Sequence, residues 1–405
     1  MSTIIELIQN GNVTSAKGFV AGATYAGLKT EGEDLLDLGI LKSEKPAVVA
    51  GTYSENKVLS PSVTLTKNRA SDGVARAVVV NSGCANCCVG AQGLRDAEEM
   101  ASLAAAHISV PESEVLVCST GLIGVELPMA LVRQHVGNVR LHEQGGAELA
   151  RAIMTTDTRP KENAISLDLP GRRVVLGGAT KGSGMVHPNM ATMLCFIATD
   201  APVQQRFLQS ALKESVNSSF NMIDIDGDMS TNDTVLVFAN GAAGGDEICE
   251  GTSEAETFKE ALAYLCVNLA KELVIDAEGA QRLIEVVVDG AHSINDARVA
   301  ARTIASSTLV KAMVHGRDPN WGRVMMALGM SGINFEESNV DIYINDIHMV
   351  HGGTAFPYLK DAVINAMSVP EVRFRVAVNA GNASATAWGC DLTEEYVILN
   401  SAYST

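Results

Sequence analysis

The sequence predicts a mixed α/β (α+β) fold in two units, and three observations carry that prediction. Short β-branched runs alternate with helix-like stretches along most of the chain. Aromatic residues make up only 4% while Ala, Val and Gly are plentiful, which points to a tightly layered core of small side chains. After Glu278-Gly-Ala280 the pattern stops and begins again with a strand, so a unit boundary is placed near residue 280.

Strands are expected at Ala47–Ala50, Ala77–Val80, Val115–Val117, Val174–Leu176, Cys195–Ile197 and Val235–Phe238. Several end in Gly, Asn or Ser, as runs do where they meet turns. Helices are expected around 96–107 and 204–220, and Phe258, Leu262, Leu265, Leu269 and Leu273 form one face of a third. Beyond the boundary the expected order is a strand at Ile284–Val288, then helices near 296–312 and 322–330. Strands at Val340–Ile344 and Arg373–Val378 follow, and the chain closes on the apolar run Tyr396–Leu399. The units are thus 1–280, a larger layered domain, and 281–405, a smaller α+β domain.

The charge balance excludes some functions. With 30 basic and 47 acidic residues the net charge is −17, which works against nucleic-acid binding. An anionic substrate would then need a local Lys or a set of backbone N–H groups. No run approaches the roughly 18 consecutive apolar residues of a membrane span, and the start lacks a secretory pattern. A cytoplasmic protein is expected. The eight cysteines are scattered. Cys84 and Cys87 form one Cys-x-x-Cys, but no second pair or spaced histidines follow it, so buried thiols and no metal are expected.

The segment that carries chemistry runs from Gly178-Ala-Thr-Lys181 through Gly-Ser-Gly-Met-Val-His-Pro-Asn-Met to Ala191-Thr192. A glycine-rich loop with Lys181 turns abruptly into an apolar strand, and Thr192 stands at that junction. A phosphate loop would need its Lys after the glycines and a helix behind it; here Lys181 comes first and a strand follows. Ser183 and His187 lack the spacing of a nucleophile elbow. Asp224, Asp226 and Asp228 surround Gly227, but a calcium loop needs a closing Glu at fixed distance, so turn capping is expected there.

The stretch Gly-Ser-Gly-Met-Val-His-Pro-Asn-Met-Ala-Thr-Met-Leu closely resembles the self-cleavage motif of the ornithine acetyltransferase (glutamate N-acetyltransferase) family. The resemblance continues through Gly18-Phe19, Ser54-Glu-Asn-Lys57, Val80-Asn-Ser-Gly83, Ser119-Thr-Gly121 and Thr155-Thr-Asp-Thr158. It extends through Asp226–Asp233, Asp276–Ala280 and Gly316–Arg323 to Asn400 and Thr405, in the family's order. Cys84 and Cys87 stand where the family more often has Asn and Ala, and Ala16 where Pro is common.

The resemblance implies an αββα sandwich akin to N-terminal-nucleophile hydrolases. It implies cleavage between Ala191 and Thr192, giving fragments 1–191 and 192–405 that stay associated as a heterotetramer. The freed Thr192 is then the nucleophile, and Thr120 and Gly121 form the oxyanion hole. Substrate contacts implied are Thr155, Lys181, Thr192, Glu278, Asn400 and Thr405. The α-amine of a terminal Thr has an ordinary pKa of about 7.7–8.0 and can take the proton of its own hydroxyl. The implied reaction is ping-pong. N-acetylornithine gives its acetyl group to Thr192, and glutamate accepts it; no cofactor is needed, and acetyl-CoA is a further donor in some members. The rivals are a self-processed aminopeptidase or amidase of related architecture and a non-catalytic binding protein.

Overall fold

The computed structural model describes residues 5–29, 35–187 and 193–402. Ala191, Thr192 and Thr405, named above as site residues, lie outside these. The described chain begins with β1 (Ile5–Leu7), β2 (Phe19–Thr24), β3 (Leu38–Tyr53), α1 (Pro61–Ala70), β4 (Val74–Cys84) and α2 (Gln92–Ile108). Next come β5 (Val115–Leu122), α3 (Met129–His135), α4 (Gly146–Ala152), β6 (Lys161–Leu169), β7 (Arg172–Lys181) and β8 (Leu194–Thr199). Then follow α5 (Gln205–Asn217), β9 (Ile223–Asp224), β10 (Thr234–Ala239) and the long α6 (Ala255–Ile275).

All these strands but β9 form one sheet, ordered β1-β6-β7-β8-β10-β3-β4-β5, with β2 also on β3. The 16-residue β3 makes it two layers. Its first part pairs with β2 and β4, its last part with β10, and its register against β4 slips between Lys42 and Ala47. Glu44, Lys45 and Pro46 are exposed at that slip, and Pro46 has no N–H for the ladder. The sheet bends there and folds over itself.

Side-chain parity shows the layering. Along β8, Cys195 and Ile197 pack with α5 and α6, while Leu194, Phe196 and Ala198 face Val78, Val80 and Leu116 of the other layer. In β4 and β5 the alternate residues Val79 and Val117 turn outward to Ala97, Met100 and Ala104 of α2. Four layers result, in the order helices, sheet, sheet, helices, with three buried strata between them. Because both faces of β4, β8 and β10 are covered, they read as continuous apolar runs.

The rest of the chain contributes β11 (Leu283–Ala291), α7 (Ile294–Ser306), α8 (Thr308–Gly316), α9 (Trp321–Met330), β12 (Asp341–Ile344) and β13 (Ile347–His351). It ends with β14 (Thr354–Ala355), α10 (Lys360–Ala366), β15 (Glu371–Ala377), β16 (Ala383–Cys390) and α11 (Glu394–Ala402). The second sheet is ordered β14-β13-β12-β15-β11-β16-β9, so it takes β9 from between α5 and β10. Lys311 of α8 secures that graft, donating to the carbonyls of Asp224 and Ile225 at 3.1 and 2.9 Å.

Two expectations change. The helix near 296–312 is two helices, because Ser307 adopts extended backbone between them and its hydroxyl accepts from Val310 N–H as the cap of α8. The first sheet also holds β1 and β6, hidden by mixed polar composition, and β2, hidden by its share of glycine and alanine. The closing run Tyr396–Leu399 lies in a helix, α11. Among the described residues no helix is long and apolar enough to cross a membrane.

Phe196 is wholly buried between the two β-layers. Phe196→Ala is expected to cost about 3–5 kcal/mol, seen as a lower urea midpoint, whereas Leu359→Ala, at a side chain 78% exposed, should change it by about 0.5 kcal/mol or less.

Candidate functional site

The ends of β5 and β7 and the loop before β10 enclose an open cavity. Thr120, Gly121, Thr155, Lys181, Glu278 and Asn400 line it, together with Ser230, Thr231 and Asn232. Every sequence-predicted contact that lies within the described residues therefore reaches one place.

Lys181 is the last residue of β7, and its side chain is buried at the cavity floor. Its ammonium donates to Thr155 Oγ1 at 2.7 Å and to Thr120 Oγ1 at 3.3 Å. Burial lowers its pKa, and the charge of Asp157 opposes that shift more than any other neighbour does. A hydroxyl that accepts from an ammonium keeps its own proton free to donate. Thr120 is thus left able to donate into the cavity, in a place with little water to compete.

Behind Lys181 sits a buried ionic cluster. Lys161 donates to Asp157 Oδ1 at 2.6 Å and to Asp276 Oδ2 at 2.5 Å, with none of the Lys161 side chain exposed. The same Asp157 accepts from Gly182 N–H at 2.8 Å through Oδ1 and from Thr155 N–H at 3.0 Å through Oδ2. One carboxylate therefore fixes the backbone on both sides of the Lys181–Thr155 contact. Thr158 donates its hydroxyl to Asp276 and Thr156 pairs with Ser183, so of the three threonines only Thr155 reaches the lysine.

Gly121 has φ +129°, and a Cβ there would come within 2.3 Å of the Gly83 carbonyl carbon. Only glycine fits that close crossing of β4 and β5. Asn232 ties the opposite wall to the same strand, donating to the carbonyls of Ser119 and Ala85 at 2.8 and 2.7 Å. At the rim Glu278 is half-buried; its N–H donates to the Ser183 carbonyl at 2.8 Å, and its carboxylate accepts from Asn400 at 2.8 Å. Gly184 lies against that carboxylate, where any Cβ would be 2.7 Å from an oxygen.

Sequence reasoning missed Asp233. It is fully buried, and its Oδ1 accepts at 2.9 Å from the N–H of Met193, the residue that follows Thr192. Burial pushes its carboxyl well above the usual range, against the pull of the Met193 N–H, Ser230 and Lys181. His187 is no isolated loop residue either: its Nδ1 lies 2.9 Å from Asp224 Oδ1, and Asp224 is also paired with Lys311. Ser183 is bonded to Thr156, not to His187. Lys29 adds a further cation that feels Lys181 and Asp157, and burial brings its pKa down to about 8. Asp226 accepts from Asp228 N–H within its own turn, as expected, and also from the N–H groups of Met185 and Val186 in the loop after β7.

The fold and cavity define a mixed α/β-sandwich protein with a buried ammonium-and-hydroxyl site at its strand ends. A profile of the ArgJ family matches residues 20–405. The arginine biosynthesis bifunctional protein ArgJ of Symbiobacterium thermophilum is 47% identical over 98% of this chain and 99% of its own length. The protein of the same name from Dehalococcoides mccartyi is 44% identical over the whole of both chains. A crystal structure of argJ from Bacillus halodurans, 37% identical, superposes with TM-score 0.51 over 51% of this chain and 98% of that one. The chain belongs to the ArgJ family.

The Asp157 cluster sets a pH test. Burial raises this carboxyl, but Lys181, Lys161 and Gly182 N–H outweigh it and hold it at about 2, against 3.8 when free. A depressed carboxyl stabilises fully above its free pKa, and that share is lost as pH falls towards the folded value, here between about 4 and 2. The stability gap between the wild type and Asp157→Asn should therefore shrink by about 2 kcal/mol from pH 5 to pH 2, measured by urea unfolding.

Proposed function

We propose that the chain is a self-processing acetyltransferase of arginine biosynthesis that moves acetyl from N-acetylornithine to glutamate through an acetyl-Thr192 ester. The observation that carries this reading is the Lys181 ammonium donating to both Thr120 and Thr155 on the floor of a cavity that Gly121, Glu278 and Asn400 complete.

In this reading the Thr192 hydroxyl attacks the Ala191 carbonyl and the C–N bond breaks, leaving Ala191 as an ester on Thr192 Oγ and the Thr192 amine free. Water then cleaves the ester, releasing the Ala191 carboxylate and the Thr192 hydroxyl. The two fragments, 1–191 and 192–405, stay together and pair as a heterotetramer in the cytoplasm. Residues 1–280 and 281–405 are the two units of this reading, apart from β9, which the first lends to the second sheet. In the first half-reaction the amine takes the Thr192 hydroxyl proton while Oγ adds to the acetyl carbonyl. Thr120 Oγ–H and Gly121 N–H receive the negative charge that develops on oxygen. The C–N bond then breaks, the proton passes to the leaving nitrogen, and ornithine departs. Glutamate's amine reverses these steps and leaves as N-acetylglutamate. Glu278 suits an ornithine ammonium, Asn400 and Thr405 close the rim, Lys181 pairs with a substrate carboxylate, and Thr155 is a further substrate contact.

No prosthetic group enters this scheme. The curated relatives are named bifunctional, and acetyl-CoA as a second donor is the corresponding expectation for this chain. Asp233 is a positioning residue here: through Met193 N–H it holds the start of β8, the strand that Thr192 precedes.

Thr192→Ala is expected to run as one full-length band on a denaturing gel and to transfer no acetyl, against two fragments and transfer in the wild type; a cleaved, active variant defeats the reading. Acetylornithine hydrolysis that ignores glutamate would point to an amidase instead. Asp233→Ala should slow processing about tenfold or more, the cost of one hydrogen bond. Asp233→Asn, which keeps the shape of the side chain and an acceptor for Met193 N–H, should stay within about threefold of the wild type by the same measure.

A further inference from the structure

At the far edge of the second sheet, remote in sequence from every residue of the cavity, three side chains of metal-ligating type converge. Asp341 opens β12, and His348 and His351 lie on β13; one ligand atom from each falls within 4.8 Å of the others. Asp341 Oδ1 is 2.9 Å from His351 Nδ1 and 3.8 Å from His348 Nε2.

Residues three apart on a regular strand point to opposite faces. Here the pairing shifts from Ile342–Val350 to Tyr343–His348, so β13 carries one extra residue. That bulge puts His348 and His351 on the same side, facing Asp341. The His348 ring is held in place, stacked between Tyr343 at 4.3 Å and Phe356 at 4.6 Å. Its Nε2 is buried and makes no hydrogen bond among the described residues. Buried ring nitrogens are normally paired, so an orphan beside a carboxylate and a second imidazole calls for an explanation.

We propose that Asp341, His348 and His351 bind a divalent transition-metal ion of the zinc type. Two imidazoles and a carboxylate are a borderline-soft donor set; it suits zinc and its neighbours in the first row and fits poorly with calcium or magnesium, which take oxygen. Three protein ligands leave one position for water. The carboxylate is already oriented by Gly352 N–H at 3.0 Å and the Asn379 amide at 3.3 Å. The nearby cation is Arg375, which lies over Tyr343 and is engaged by Asp289 at 2.7 Å, so its charge is compensated locally. His351 is exposed and can rotate to shorten the ligand distances. A bound ion would staple β12 to β13 across the bulge, at the edge where the sheet has least support.

The test is calorimetric titration of the intact, chelator-stripped protein with Zn2+, in a Cys88→Ser background that removes the exposed thiol. One equivalent should bind saturably, with a matching rise in Tm. His351→Gln, at a largely exposed side chain, and His348→Ala should each weaken binding about tenfold or more, while His351→Gln leaves acetyl transfer unchanged. Saturable binding with unaltered affinity in His351→Gln, or no one-equivalent binding by the parent protein, overturns the proposal. Should His348→Ala fail to fold, His351→Gln alone decides.

Discussion

The site depends on a lysine held between two carboxylates where water cannot reach. Burying Lys161, Asp157 and Asp276 together is costly, since desolvation takes back much of what attraction supplies. What the cluster provides is position. Asp157 reaches Lys161, the Gly182 amide and the Thr155 amide at once, so the backbone flanking Lys181 cannot drift without breaking a charged hydrogen bond in a medium of low dielectric. The weak structural preference of the glycine-rich stretch after β7 is overridden by that one anchor.

The folded-over sheet explains why the anchor and the cavity coincide. β5 and β7 belong to different layers, joined through β10 and the bent β3. Their ends meet only because the sheet doubles back at the Glu44–Pro46 slip. Thr120 and Lys181 are thus brought within 3.3 Å by a kink far from either in sequence. The Gly83–Gly121 crossing completes the fit, since both residues have positive φ and neither crossing leaves room for a side chain.

These relations set what could be read from sequence. The strands buried on both faces, such as Cys195–Ile197 and Val235–Phe238, announced themselves by continuous apolar runs. The edge strands β1 and β2 did not, because Ile5–Leu7 carries a Glu and Phe19–Thr24 is half glycine and alanine. Among site residues, Lys181, Thr120 and Gly121 were legible through motifs that surround them. Asp233 closes a run of Ser, Thr and Asn that reads as a turn, and only the tertiary pairing of β8 with β10 puts its carboxyl on Met193 N–H. His187 gave no sign of its partner, since Asp224 lies 37 residues away. The His348 and His351 pair was equally silent, because its spacing makes sense only once the bulge is known.

The chain carries a net charge of −17, yet in the proposed reaction its substrates bear carboxylates. Distance and dielectric reconcile the two. Charges scattered over the surface are screened beyond about 8 Å at physiological ionic strength, so most of the acidic excess is not felt inside the cavity. What is felt is short-range: Lys181 on the floor, and Lys29 close enough for its own pKa to register Lys181 and Asp157. Glu278 at the rim is the counterweight, a carboxylate placed where an amine would enter. Cation below and anion above give the cavity a direction that the overall charge conceals, and a zwitterionic amino acid is the kind of ligand that such a direction can orient.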